Sequence, residues 1–139
     1  MERERAFAKE IASLEEVFAF LDECFVLESI GKRESLAIAL VAEELFTNLV
    51  KYNTGSHNPV IVSFERDGHV VHLELVDRDV DRFDPAAVPE ADVDAPVTQR
   101  SPGGLGLHLV RAIVDRITFE YQDRVMRIQV DKKLEPAHA

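Results

Sequence analysis

The apolar residues of this chain recur at one spacing up to about residue 52 and at another from residue 60, and this change of period limits the folds open to it. Leu14, Val17, Phe18, Leu21 and Phe25 recur at three and four, a stripe along about four turns of helix. Ser13 and Glu16 stand ahead of that run in the spacing of a capping box. Gly31 and Lys32 break the pattern, and Ser35 is a cap for a second helix with Glu34 near its positive end. That helix is predicted to reach about Tyr52 and to stop at Asn53-Thr54-Gly55. Val60, Val62 and Phe64 then alternate, as do Val71, Leu73 and Leu75, around the turn signal Arg66-Asp67-Gly68. Leu109, Val110, Ile113, Val114 and Ile117 form one face of a third helix. Phe119 and Tyr121 mark a short strand, Asp123-Arg124 a turn, and Met126, Ile128 and Val130 the last strand. The order is helix, helix, strand, strand, helix, strand, strand. It predicts an α+β fold, a two-layer sandwich in which a mixed sheet is covered on one face by helices.

The 139 residues fit one domain spanning 1–139. A formal charge of −10 argues against binding nucleic acid, which requires a basic footprint. No apolar run approaches the ~20 residues of a membrane span, and no signal-peptide core follows the charged residues Met1 to Arg5. The lone Cys24 forms no internal disulfide and fits a core position. A cytoplasmic domain is the expectation.

Residues 79–103 carry Pro85, Pro89, Pro96 and Pro102 and no period. So long an irregular stretch in a small domain reads as a functional lid or as disorder. Three clusters around it invite chemistry. Glu44 and Asn48, four apart, share a helix face beside Val41, Leu45 and Leu49. This pair is either a solvated face or a site where an oxygen ligand holds magnesium and a carboxylate orients a hydroxyl. Asp77 ends a strand with the parity of Leu73 and Leu75, so its carboxylate faces the core side. It is either part of an acidic turn or an acceptor for an exocyclic amine. Asp77, Asp79 and Asp81 have the start of a calcium loop, but Arg82 and Val88 occupy the places where that loop needs glycine and glutamate. Gly103-Gly104-Leu105-Gly106-Leu107-His108 opens a helix. It serves either as an ordinary turn or as a place where backbone N–H groups approach phosphate. The five histidines show no zinc spacing.

In this order the clusters resemble the GHKL ATPase superfamily, and within it the small anti-sigma-factor serine-protein kinases of bacterial partner-switching systems. The resemblance covers about residues 10–134. Glu44-Leu45-Phe46-Thr47-Asn48-Leu49-Val50-Lys51-Tyr52 resembles the N box, and Phe83-Asp84-Pro85 resembles the segment after the first glycine box. Pro102 to Val110 is similar to the second glycine box, with Asp115 fitting the aspartate late in its helix. The resemblance implies a Bergerat-type fold binding ATP and Mg2+. Asn48 would hold the metal, Glu44 would be the general base, and Asp77 would accept from the adenine amine. Lys51 would neutralise phosphate charge. Gly104 and Gly106 would let the lid backbone reach the phosphates, with the Leu105, Gly106, Leu107 and His108 amides as donors. One departure stands out: Asp79 occupies the place of a family glycine.

The function so implied is a protein-serine kinase and anti-sigma factor. It would phosphorylate a STAS-domain anti-anti-sigma protein and bind a sigma factor or other regulated target, acting as a homodimer. A GHKL-fold binding module that sequesters a partner without phosphate transfer is the alternative, prompted by Asp79. A catalytic module in a phosphorelay is a third reading.

Overall fold

The computed structural model describes residues 2–52, 57–80 and 106–135. It opens with a strand that the sequence pattern did not announce, β1 (Arg3–Phe7), followed by a single 3-10 turn at Ile11–Ser13. Helices α1 (Leu14–Leu27) and α2 (Lys32–Tyr52) come next, then the hairpin β2 (Val60–Asp67) and β3 (Val70–Arg78). Helix α3 (Gly106–Ile113) precedes the second hairpin, β4 (Arg116–Gln122) and β5 (Val125–Lys133). The five strands lie in the order β1-β2-β3-β5-β4.

The α+β class is as expected, with helices packed on the sheet. Among the described residues the sheet is not mixed, because all four strand pairings are antiparallel. Each hairpin pairs its own strands, and β3 and β5 also meet antiparallel, so no parallel crossover is formed. Both tight turns use left-handed backbone. Gly68 has φ +59, and Asp123 and Arg124 have φ +54 and +63, which suits the right-handed twist of the flanking strands.

β1 hides from pattern reading because it is an edge strand of charged residues with one apolar anchor. Glu4 and Arg5 are exposed and Arg3 is half-buried, while Phe7 is buried and packs edge-on against Phe20 at 5.7 Å. The buried side of α1 is Val17, Phe20, Leu21, Cys24 and Phe25. Phe20 thus takes the core place expected of Phe18, which is only half-buried. Ser13 does occupy the N-cap, but its side chain makes no capping bond. Ser35 lies inside α2, whose first residue is Lys32, and donates to Ile30 O at 3.4 Å. Helix α3 ends at Ile113, and Ile117 belongs to β4 instead. The expected helix stop at residues 53–55 and most of the expected lid, residues 81–103, lie outside the described residues.

Helix α2 rests on β3 and packs against α3. That placement sets up the site, since α2 carries Glu44 and Asn48, β3 carries Asp77, and α3 begins at Gly106. Cys24 is buried in the core, and burial pushes its thiol up to about 11. Among the described residues no helix is long and apolar enough to cross a membrane.

Candidate functional site

The buried stripe of α2, Val41, Leu45 and Leu49, presses onto the sheet, and this seat fixes what stands beside it. Asn48 follows on the same side and is 8 % exposed. Its Oδ1 is buried and has no hydrogen-bond partner among the described residues. One turn earlier, Glu44 is half-buried, and its Oε2 is likewise buried without a partner. Burial first, and then the neighbouring Glu43, push the Glu44 carboxyl above the usual range, while Lys51 pulls it down. Buried oxygens without donors are costly. Two of them on one helix face form a donor set of the hard-oxygen kind that magnesium takes. The residues present therefore fit a hard cation and a proton to be accepted.

Asp77 lies fully buried on the face of β3 shared with Leu73 and Leu75, as strand parity requires. Its Oδ2 is 2.8 Å from Lys9 Nζ, and the two side chains are 0 % and 4 % exposed. Lys9 follows the last residue of β1 by two, so the edge strand delivers the cation to the carboxylate. Removing one member of such a pair strands the other charge, at a cost of roughly 3–5 kcal/mol. Sequence reasoning missed Lys9. The only signal was indirect: an acid predicted to face the core demands a cation, and nothing in the pattern says which one.

Asp79, two residues on, behaves otherwise. It is exposed and has φ +57, the left-handed region where glycine is at ease and where Asp is among the better-tolerated alternatives. Its Oδ1 accepts from Arg124 Nε at 2.9 Å in the β4–β5 turn. Next to it, Val80 N donates to Arg124 O, and Tyr121 OH donates to Val80 O. The backbone at this position therefore keeps the conformation a glycine would have, while the added carboxylate is drawn to Arg124.

Lys51 is half-buried in the last turn of α2. Gly106 is the first residue of α3, Leu107 is buried, and His108 is exposed. Gly104 and Leu105 lie outside the described residues. The structure thus joins α2 to both β3 and α3, the elements that bear Asp77 and Gly106.

A hollow of about 320 Å³ opens on the sheet face away from these residues, among His72, Glu74, Arg116, Thr118, Gln129 and Asp131. Several of its polar groups pair with one another. Arg127 Nη1 and Gln129 Nε2 donate to Glu74 at 2.7 and 2.9 Å, and His72 Nδ1 lies 2.6 Å from Asp131 Oδ1.

The model of the histidine kinase-like ATPase domain matches residues 7–132. No curated protein matches the chain. Among solved structures, the chain is similar to the crystal structure of the RsbU and RsbW domains of Rv1364c from Mycobacterium tuberculosis. The TM-score is 0.72 with 15% identity, over 99% of this chain and 34% of that one. The likeness is one of fold, and this chain spans about a third of that neighbour's length.

Proposed function

The chain belongs to the histidine kinase-like ATPase domain family, and on that premise we propose that it is an ATP- and Mg2+-dependent protein-serine kinase that also acts as an anti-sigma factor. The observation that carries this reading is the pair of buried, unpartnered oxygens of Glu44 and Asn48 on one face of α2. Asn48 Oδ1 would hold the metal. Bound there, magnesium would neutralise charge on the phosphates. Glu44 would accept the proton of the incoming seryl hydroxyl, and its raised proton affinity suits a general base. Asp77 would accept from the amine of the base, and Lys51 would offset phosphate charge. The residues from Gly104 to His108 would present backbone N–H groups to the phosphates at the start of α3.

The proposed phosphoacceptor is a serine of a STAS-domain anti-anti-sigma protein, and the regulated target is a sigma factor or another partner. Phosphorylation would add about −1.5 to −2 charge to the antagonist. Against a chain of formal charge −10, that addition favours release. The likeness to a structure that contains an RsbW domain supports the same assignment. A homodimer and a cytoplasmic location belong to the same proposal.

The test is phosphate transfer to a STAS-type protein by the wild type and by Glu44→Gln. The variant is expected to lose about 10²–10⁴-fold in transfer while still binding Mg-ADP. Wild-type transfer by the variant would remove Glu44 from the chemistry. The binding-only alternative rests on a carboxylate near the phosphates at Asp79, and the pairing of that group with Arg124 weakens it. Calorimetric titration with Mg-ADP separates the two readings, since the binding-only domain gives no heat.

A further inference from the structure

The Lys9–Asp77 pair is the most deeply buried ion pair among the described residues, with side chains 4 % and 0 % exposed. It sits at the residue to which the proposed function assigns recognition of the base. We propose that Lys9 is a second base-reading residue, which donates to ring nitrogen N1 of a purine whose 6-amino group donates to Asp77. This inference rests on the nucleotide reading above, in which Asp77 accepts that amine.

An ammonium carries three N–H donors. One carboxylate oxygen takes at most part of that capacity, and Lys9 Nζ has no other acceptor among the described residues. A base that displaced Lys9 from Asp77 would leave a buried cation without compensation, which is strongly disfavoured. The pair therefore stays together, and the base docks against both members. Side by side at 2.8 Å, they offer one acceptor and one donor. The edge of adenine offers the complement, an amine donor beside a ring-nitrogen acceptor. A lone aspartate would read only the amine, whereas the pair reads both atoms. An ion pair serving structure alone would be indifferent to the ring nitrogen.

Deleting one ligand atom at a time tests the idea. The full chain is titrated calorimetrically with Mg2+ and ADP, with 1-deaza-ADP (C–H in place of N1), and with the 6-desamino analogue, using wild type and Lys9→Met. Wild type is expected to bind each analogue about tenfold or more weaker than ADP, the usual worth of a hydrogen bond to a charged group. Lys9→Met is expected to bind ADP and 1-deaza-ADP equally while keeping its preference for the 6-amino group. If wild type binds 1-deaza-ADP as tightly as ADP but loses the desamino analogue, the role of Lys9 is overturned and that of Asp77 stands. If wild type binds all three ligands alike, the Asp77 reading fails and takes this inference with it. Absence of ADP binding overturns the nucleotide reading itself. Should Lys9→Met fail to fold, the wild-type series decides alone.

Discussion

At the scale of single residues, Glu44 is where stability and proposed chemistry pull against each other. Its folded-state proton affinity lies above the ordinary glutamate value of 4.5, chiefly because the carboxyl is half-buried. The folded protein therefore holds this proton more tightly than the unfolded chain does, and ionising the group costs stability. The penalty is absent below the ordinary glutamate range and complete above the raised folded value. Glu44→Gln is thus expected to raise Tm at pH 7, with the advantage fading to nothing below about pH 4, as thermal melts across pH will show. A melt in which the variant gains most in acid would contradict the assignment. If Glu44 is the base of the proposed phosphate transfer, the same environment places the acid limb of that reaction above the usual carboxylate range. Glu43→Gln is expected to move it down and Lys51→Met to move it up, because Glu43 raises and Lys51 lowers the Glu44 proton affinity.

The elements show how ends are made when the expected residue is missing. Helix α1 closes with a Schellman arrangement: Ile30 N donates to Phe25 O at 2.9 Å and Ser29 N to Val26 O at 3.3 Å. The left-handed position is filled by exposed Ser29, φ +56, where glycine is the usual occupant. Arg66 of β2 donates to Glu28 O at 2.7 Å and completes the end. A serine in this region carries a cost of about 1–2 kcal/mol, part of which glycine would give back as entropy of the unfolded chain. Ser29→Gly should therefore stabilise the protein by about 0.5–1 kcal/mol, read from urea denaturation. A loss of stability would mean that the serine side chain has a contribution of its own. Helix ends of this kind escape a reading that waits for glycine. Gly31 and Lys32 are expected to break the pattern, but the turn is made at Ser29 and Lys32 is already the first residue of α2.

Across the whole molecule, what could be read in the sequence was whatever repeats. The periods of α2, β2, β3 and β5 were legible because each lays a full apolar face on one core, and the buried position of Asp77 followed from parity alone. β1 and Lys9 were not legible. An edge strand needs only one buried anchor, and an ion pair between chain segments far apart leaves no periodic trace. The order of paired helices and paired strands is compatible with a mixed sheet, and the antiparallel contact of β3 with β5 decides against it. One feature of the core has a practical use. Cys24 is the only thiol in the chain, it is 1 % exposed, and its proton is held to about 11. An alkylating reagent needs a thiolate it can reach, so labelling at mild pH has to wait for α1 to lift. The chain therefore carries its own stopwatch for opening, with no probe added. If α1 lifts only from the nucleotide-free protein, Mg-ADP is expected to slow that clock by a factor of one plus the ratio of the free Mg-ADP concentration to its Kd.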